Sequence, residues 1–387
     1  MIRFLLAIVF LFVAPASFAQ SDSCGLRITL LTCNPGEELY STFGHTAIRV
    51  QHGPSGTDEV YNYGMFEFAP DFYLKFIRGK LLYSLTIETY PDFLYTYQYE
   101  SRSVVEQEVL LGCSQKQNLW AALRENARPE NRNYRYDFLF DNCTTRARDM
   151  IARYAGKGLQ WRNILPAESP TFREMLHTYL DGGGQYWSKL GIDLLLGARL
   201  DRTVSNQQAM FLPDYLLKGV DSARLNGQRL VSPPRPILQL PSPIKGASAL
   251  QPMVVLSILL LIVGALSFLP QTRALLKIFD RLFFLLLGLA GFLLLFMWLG
   301  TDHKVCRDNL NLLWALPTHA VAAWYTGRNT DRTLTYFRMV CWGMVALVGA
   351  WFFMPQALNP ALLPLVALVA LRSWRLSQPN AYAHKKY

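Results

Sequence analysis

The fold depends on one stretch that joins a polar turn to a helical pattern, Asp141-Asn142-Cys143-Thr144-Thr145-Arg146-Ala147-Arg148-Asp149-Met150-Ile151. Its apolar residues recur at helical spacing, which predicts a helix with one packed face. Asp141 or Asn142 can cap this helix, because their side-chain oxygens accept hydrogen bonds from free first-turn amides. Cys143 therefore lies in the first turn, beside the positive end of the helix dipole, which favours a thiolate. Taken alone, the stretch fits a buried structural cysteine or half of a disulfide equally well.

The composition divides the 387-residue chain into two halves. Residues up to about 230 mix charges, aromatics and turn residues as soluble domains do, and they suffice for a sizeable core. After about residue 250, apolar blocks alternate with short basic segments. The formal net charge of +10 comes with no basic-aromatic groove pattern, so we predict no nucleic-acid partner. The basic segments instead fit an orientation signal for membrane spans.

The N-terminus predicts export from the cytoplasm. A basic start and an apolar run over residues 4–13 precede small residues at Ser17 and Ala19, so residues 1–19 form the predicted signal peptide. The apolar run is too short for a comfortable membrane span, which leaves an uncleaved anchor as the less favoured alternative. Cys24 follows no lipobox pattern, so we do not predict a lipid on it.

Export places four cysteines, Cys24, Cys33, Cys113 and Cys143, in an oxidising compartment. If Cys143 is catalytic it must stay free, which allows at most one bridge among the other three. The sequence leaves all three of those pairings open.

The exported half contains a predicted β-hairpin with a histidine. Strand character begins at about His45, after Gly44, and alternation places His45, Ala47 and Arg49 on one face. A turn-rich loop separates this strand from Val60-Tyr61-Asn62-Tyr63-Gly64, its predicted partner. Asn62 could hydrogen-bond one imidazole nitrogen and so fix the tautomer of His45.

A cysteine nucleophile needs a base within hydrogen-bond reach, and the base needs an orienting group. The exported half offers three histidines, of which His52 lies in a loop and His177 on a predicted helix surface. His45 is the candidate base, although a His–Cys pair about a hundred residues apart is weak evidence by spacing alone.

The second half predicts a membrane domain. We expect a proline-rich linker over 231–249, a transmembrane domain over 250–373 and a cytoplasmic tail over 374–387. The five predicted spans are 250–269, 281–300, 309–326, 335–354 and 357–372, of which the third and fifth are weaker. Basic residues in the 270–280 loop, the 327–334 loop and the tail place these segments inside and the soluble domain outside. The outer loop 300–308 either caps the spans or helps to hold a lipid head group.

Several segments together resemble one family. These are Gly44-His45-Thr46-Ala47-Ile48-Arg49-Val50, Tyr61-Asn62-Tyr63-Gly64, Asp141-Asn142-Cys143-Thr144-Thr145-Arg146, Leu194-Leu195-Leu196-Gly197-Ala198-Arg199-Leu200-Asp201, Asp302-His303 and Asn309-Leu310-Asn311-Leu312-Leu313-Trp314. They resemble the Lnb-type bacterial lipoprotein N-acyltransferases. The order of histidine before cysteine also resembles permuted NlpC-like papain-type folds, including the lecithin:retinol acyltransferase group.

The resemblance implies an α+β papain-like (permuted NlpC-like) periplasmic domain over 20–230, followed by an α-helical transmembrane domain. It implies a multi-pass protein of the bacterial inner membrane that moves an acyl chain from a phospholipid, through a Cys143 thioester, to the α-amino group of a diacylglyceryl-lipoprotein. His45 would be the general base and Asn62 its orienting partner, although Tyr61 or Tyr63 could hold that place.

Four further residues are predicted to contact substrate: Tyr63, Arg146, His303 and Asn309. No cofactor and no metal are expected. A membrane-anchored cysteine peptidase or amidase acting on cell-wall peptides is the alternative enzyme, and a membrane assembly or sensor protein with a structural Cys143 is the alternative without catalysis. The sequence leaves open the acyl-chain preference, the oligomeric state and any role of the spans beyond anchoring.

Overall fold

The structure is a computed structural model that describes residues 24–379 and 381–382, except 67–69, 71–74, 76, 245 and 247. The predicted signal peptide, residues 1–19, lies outside the described residues, as does the end of the predicted cytoplasmic tail. The described chain forms an N-terminal domain built on an antiparallel sheet and a C-terminal helical domain.

Ten strands occur in the described residues, and seven of them form the main sheet in the order β10-β5-β1-β2-β3-β4-β6. Their bounds are β1 Leu26–Cys33, β2 His45–His52, β3 Thr57–Met65, β4 Leu82–Thr89, β5 Val104–Glu108, β6 Asn133–Arg135, β7 Leu159–Gln160, β8 Arg224–Leu225, β9 Gln228–Arg229 and β10 Arg235–Leu238. All pairings in the main sheet are antiparallel, and β7, β8 and β9 form a small second sheet.

Seven of the described α-helices belong to the N-terminal domain: α1 Tyr90–Tyr99, α2 Cys113–Asn126, α3 Cys143–Ala155, α4 Phe172–Gly182, α5 Tyr186–Leu195, α6 Asn206–Ala209 and α7 Pro213–Ser222. The helical domain contributes α8 Pro252–Leu266, α9 Arg273–Leu299, α10 Thr318–Ala322, α11 Asp331–Ala350 and α12 Leu363–Leu376.

Both faces of the main sheet are buried. The alternation in β2 directs Ile48 and Val50 into the core formed with α2, α3 and α7, and it directs Ala47 to the opposite face beneath α1. The two-residue period of a strand requires this division, so the predicted alternation is confirmed. The predicted hairpin is also present, with Ile48 opposite Tyr61 in the β2–β3 pairing.

The proline-rich linker differs from its prediction as a plain spacer. Its first part forms β10, which pairs with β5 as an edge strand of the main sheet. Arg235 of β10 donates to Glu106 at 2.6 Å, and Glu106 is fully buried. Proline is tolerated in an edge strand because the missing N–H can point away from the sheet, so Pro236 does not prevent the pairing.

The helical domain retains only part of the predicted pattern of five spans. Among the described residues, two helical segments are long and apolar enough to cross a membrane, Pro270–Leu299 and Asp331–Phe353, and Pro252–Leu266 is a shorter apolar helix. The third predicted span, 309–326, is broken into two short 3-10 turns on either side of α10. The fifth, 357–372, overlaps α12, which has 14 residues and extends to Leu376.

The predicted outer loop contacts the N-terminal domain. The amides of Gly197 and Ala198 donate to the carbonyls of Val305 and Asp308, at 2.9 and 3.1 Å. The amide of Asp302 donates to the carbonyl of Arg78 at 3.1 Å. The loop and the N-terminal domain therefore lie on the same side of the helical domain, as the charge pattern predicts.

Candidate active site

Asn142 fixes the start of α3. Its Oδ1 accepts from the amides of Thr144 and Thr145 at 2.9 and 2.8 Å, so Asn142 is the cap. Its Nδ2 donates to the carbonyls of Phe138 and Phe211 at 2.7 and 3.0 Å, which ties the cap to two other segments. The helix begins at Cys143 because every hydrogen-bonding group of the buried Asn142 side chain is satisfied in this position.

The Cys143 thiol meets His45, the first residue of β2. Burial raises the pKa of Cys143, but the charge of His45 and hydrogen bonds from His45, the Thr46 amide and Thr144 outweigh it and lower the pKa to about 7. Burial lowers the pKa of His45, and the neighbouring Cys143 thiolate with the bond to Asn62 raises it above its usual value. Each group therefore favours the charged form of the other, as in a thiolate–imidazolium pair.

Two residues, hydrogen-bonded in series, orient the imidazole of His45. His45 Nε2 donates to Asn62 Oδ1 at 3.1 Å, which leaves Nδ1 for the sulfur. Asn62 Nδ2 in turn donates to the Glu88 carboxylate on β4. Burial raises the pKa of Glu88, and His45 and Asn62 oppose that rise. The chain of contacts therefore runs from the thiol through His45 and Asn62 to Glu88.

Two glycines near the site allow close approaches, Gly64 to Cys143 and Gly44 to the Cys33 backbone. Gly64 has φ +86°, and a side chain there would begin 3.5 Å from the Cβ of Cys143. Gly44 has φ +78°, and its Cβ would lie 2.6 Å from the Cys33 carbonyl oxygen. Both positive φ values favour glycine. At Gly44 the neighbour is therefore the backbone of Cys33.

The first turn of α3 has one amide left for a ligand. Thr144 and Thr145 donate to the cap, and Arg146 donates to the Asn142 carbonyl at 3.0 Å. In the described part of the chain, the Cys143 amide donates to no protein group. Thr46 Oγ1 and Thr144 Oγ1 lie 3.1 Å apart beside the thiol and are buried. An oxyanion formed on a carbonyl attacked by Cys143 would find this amide within reach.

Two of the predicted substrate contacts lie beside the site. Tyr63 is buried in the core of the domain, and its hydroxyl accepts from Asn126 at 2.9 Å. Arg146 pairs with Asp141 through two bonds of 2.6 and 2.9 Å, and its guanidinium lies 3.5 Å from the centre of the Tyr134 ring. Protein partners therefore engage the Tyr63 hydroxyl and two of the three guanidinium nitrogens of Arg146.

The other two predicted contacts lie at the junction of the two domains. His303 is half-buried in the outer loop, and its backbone nitrogen would lie 3.2 Å from a Cβ at Gly79. Asn309 is fully buried, and its amide donates to the carbonyls of Leu194 and Leu195 at 2.7 and 3.2 Å. The structure thus gives the Asn309 amide two protein partners, and the predicted contact of Asn309 with substrate stays a prediction.

Cys24 and Cys113 form a disulfide with a Cα–Cα distance of 5.9 Å. Of the three pairings that the sequence leaves open, this one leaves Cys33 as a free, buried thiol whose pKa burial raises to about 12. Cys143 is also free, as a nucleophile must be. Across the described residues, no group of three or more His, Cys, Asp and Glu side chains is arranged to hold a metal ion.

Glu88 is the member of the constellation that the sequence analysis missed. It lies two residues beyond Thr86, which is opposite Asn62 in the β3–β4 pairing, so it shares a sheet face with Asn62. The pairing shifts register between Asn62 and Met65. In the sequence, the alternation of Thr86 and Glu88 within a strand-like segment could have indicated that the two side chains share a face. The register that sets this face against Asn62 depends on the bulge, whose position only the structure gives.

Comparison with known families identifies both halves of the chain. Residues 15–178 match the model described as Lnb N-terminal periplasmic domain, and residues 244–379 match the Lnb transmembrane domain. The first match contains Cys143, His45 and Asn62, and the second contains the outer loop. No curated protein and no solved structure matches the chain. A periplasmic domain is therefore followed by a transmembrane domain, in agreement with the α+β and helical architecture predicted from sequence.

Proposed function

Because the chain belongs to the Lnb family of lipoprotein N-acyltransferases, we propose that it transfers an acyl chain from a phospholipid to the α-amino group of a diacylglyceryl-lipoprotein. Cys143 is the nucleophile, His45 the general base and Asn62 the residue that orients it. The observation that carries the proposal is the thiol at the start of α3, with its pKa lowered to about 7 beside His45.

The first half-reaction forms the thioester. The Cys143 thiolate attacks the ester carbonyl carbon of the phospholipid, and negative charge develops on the carbonyl oxygen near the Cys143 amide. The carbon–oxygen bond of the ester then breaks. The imidazolium of His45 gives its proton to the departing lysophospholipid oxygen, which leaves neutral.

The second half-reaction transfers the acyl chain. The α-amino group of the lipoprotein attacks the thioester carbonyl carbon, and His45 takes the proton that the nitrogen loses. The carbon–sulfur bond breaks as the amide forms. The thiolate returns beside the imidazolium, so the enzyme regains its starting state.

The architecture supports substrates that are embedded in a membrane. The site belongs to a periplasmic domain whose residues 197–198 bind the outer loop of the transmembrane domain. Both proposed substrates carry acyl chains in the bilayer and reactive groups at its surface. A catalytic thiol held at this surface would meet both without extracting either lipid fully from the membrane.

Mass spectrometry of lipoprotein N-terminal peptides tests the proposal. Cells with the intact protein should contain N-acylated lipoproteins, and cells with Cys143→Ala should contain the diacyl form with a free amine. The Cys143 peptide from the intact protein should also carry a thioester-linked acyl group that hydroxylamine removes.

Cys341→Ala is the matched control, since Cys341 is a free cysteine of the transmembrane domain. This variant should leave N-acylation unchanged. Full N-acylation by Cys143→Ser would refute the thiol mechanism. Release of cell-wall peptides without any change in lipoproteins would instead indicate a cysteine peptidase or amidase.

A further inference from the structure

The transmembrane domain contains an apolar groove on the flank of α11. Its volume is about 460 Å³, within the range of roughly 300–1,000 Å³ that small-ligand sites occupy. Tyr336 is its one lining residue with a polar side-chain group, and the others are aliphatic residues, glycine or methionine. The lining residues that matter below are Leu313, Gly343, Ala346, Ala350 and Met354.

The groove exists because the segment beside α11 does not form a continuous helix. Residues 310–313 and 323–325 form 3-10 turns, and α10 between them has five residues. Pro317 lacks a backbone N–H and cannot sit inside a longer helix without breaking it. On α11, Gly343, Ala346 and Ala350 are spaced so that they share one helix face. The broken segment leaves this face of small side chains partly uncovered.

One end of the groove lies where the two domains join. Leu313 and Met354 line the groove, and Asn309 and Gln356 are close to them in the chain. Asn309 donates to the Leu194 carbonyl at 2.7 Å, and Gln356 donates to the Leu196 carbonyl at 3.2 Å. This end therefore meets α5 of the periplasmic domain, whereas Tyr336 lies toward the opposite end.

We propose that the groove binds one acyl chain of a phospholipid, with the glycerol end toward the periplasmic domain. An apolar wall provides no partner for a polar ligand, and hydrocarbon chains are the apolar ligand available inside a bilayer. Phospholipid is the occupant because it is the bulk component of the membrane onto which the groove opens, so mass action favours it. Its role as acyl donor rests on the proposed function, but its binding does not.

A matched pair of glycines on α11 provides the test. A Cβ added at Gly343 or at Gly349 would meet no atom within 4 Å, so a side chain can begin at either position without a clash. Gly343 lines the groove and Gly349 does not. Gly343→Phe should therefore fill the groove, and Gly349→Phe should place the same ring elsewhere on the helix.

Native mass spectrometry with palmitoyl-oleoyl-phosphatidylethanolamine measures binding, with each variant made in the Cys143→Ala protein so that no turnover occurs. Gly343→Phe should lose a retained phospholipid that Gly349→Phe keeps. Ala346→Leu, a smaller change in the same wall, should reduce retention in the same direction if Gly343→Phe fails to fold. Equal retention by the groove variants and Gly349→Phe would overturn the proposal.

An activity measurement separates this inference from the proposed function. With Cys143 present, Gly343→Phe should lower lipoprotein N-acylation, whereas Gly349→Phe should not. Lost phospholipid retention with unchanged N-acylation would contradict a donor site in the groove and leave the acyltransferase intact. Normal retention in a protein without any N-acylation would count against the proposed function alone.

Discussion

The reactivity of Cys143 should follow an unusually low pKa. Because His45 lowers the pKa of the thiol to about 7, the thiolate fraction rises as pH increases through 7, well below the usual value near 9. The rate of alkylation by iodoacetamide, read by mass spectrometry of the Cys143 peptide between pH 5 and 10, should therefore have its midpoint near 7. Cys33 provides an internal control, since burial raises its pKa to about 12.

His45→Ala should move that midpoint upward. Burial raises the pKa of Cys143 and His45 is the main opposing influence, so removal of the imidazole leaves the raising effect in place. The midpoint should then lie at or above 9. An unchanged midpoint near 7 in His45→Ala would show that the helix start alone lowers the pKa, and it would remove His45 from the pair.

Asn62→Ala should slow the reaction without unfolding the domain. His45 would lose the acceptor on Nε2, and the imidazole would no longer be held with Nδ1 toward the sulfur. A lost buried hydrogen bond of about 1–2 kcal/mol corresponds to a roughly 5- to 30-fold lower rate of N-acylation. Glu88→Gln keeps an acceptor for Asn62 and should have a smaller effect. A larger loss for Glu88→Gln than for Asn62→Ala would contradict this order of contacts.

The site residues that can be placed from the sequence lie in local patterns, whereas those that cannot depend on contacts between distant segments. Local patterns place His45 on a strand, Asn62 on its hairpin partner and Cys143 at a helix start, but grouping the three into one site depended on the family resemblance. Glu88 depends on the register across a bulge, which no local pattern specifies. The burial of Asn309 and the bonds of its amide to the Leu194 and Leu195 carbonyls of α5 depend on the packing of two domains, which no local pattern specifies either.

At the scale of elements, the start of α3 should be the most sensitive point. Asn142→Ala removes the cap, worth about 1 kcal/mol, and leaves the carbonyls of Phe138 and Phe211 without their donor at about 1 kcal/mol each. Thermal unfolding of the detergent-solubilised protein should show a midpoint lower by roughly 6–12 °C.

Asp141→Asn is the control for the cap. Asp141 pairs with Arg146 at the surface, with both side chains more than a quarter exposed, and such pairs contribute about 0–1 kcal/mol. Its unfolding midpoint should stay near that of the unmodified protein. If Asp141→Asn destabilises the protein as much as Asn142→Ala, the cap assignment is wrong.

Elements are predictable from sequence where one dominant pattern repeats. The hydrophobic runs that became α9 and α11 were found, because length and apolarity define them. The strand β10 was missed because its prolines normally argue against a strand, and only the position at the sheet edge permits them. The third span was predicted as one helix because its composition is apolar, whereas Pro317 and its neighbours divide it.

At the scale of the whole molecule, a buried polar junction joins the transmembrane domain to the periplasmic domain. Asp193 at the end of α5 is fully buried, where it binds Arg173 at 2.6 Å and His177 at 2.9 Å within the periplasmic domain. Its second oxygen accepts from Asn359 of the transmembrane domain at 2.8 Å. Asn311 donates to the backbone carbonyl of the same residue at 2.8 Å. A buried polar junction of this kind fixes the orientation of the two domains, because its groups are satisfied in one arrangement only.

Asn359→Asp should weaken this junction while keeping its shape. The substitution retains the oxygen that accepts from the Ala361 amide but replaces the donor facing Asp193 with a second carboxylate. An uncompensated buried charge costs roughly 3 kcal/mol, so the two domains should separate more often. Hydrogen exchange at α5 should accelerate, and N-acylation should fall although Cys143 keeps its alkylation midpoint near 7.

Asp308→Asn tests whether any contact between the domains has this effect. Asp308 pairs with Arg199 across the same junction at 2.8 Å, but both side chains are more than two-fifths exposed. Its φ of +58° is one that asparagine adopts readily, so the substitution leaves the backbone unstrained. Because an exposed pair contributes little, exchange at α5 and N-acylation should both stay unchanged. Normal N-acylation in Asn359→Asp despite faster exchange would mean that catalysis does not require a fixed orientation, and the transmembrane domain would then serve as an anchor and a lipid site only.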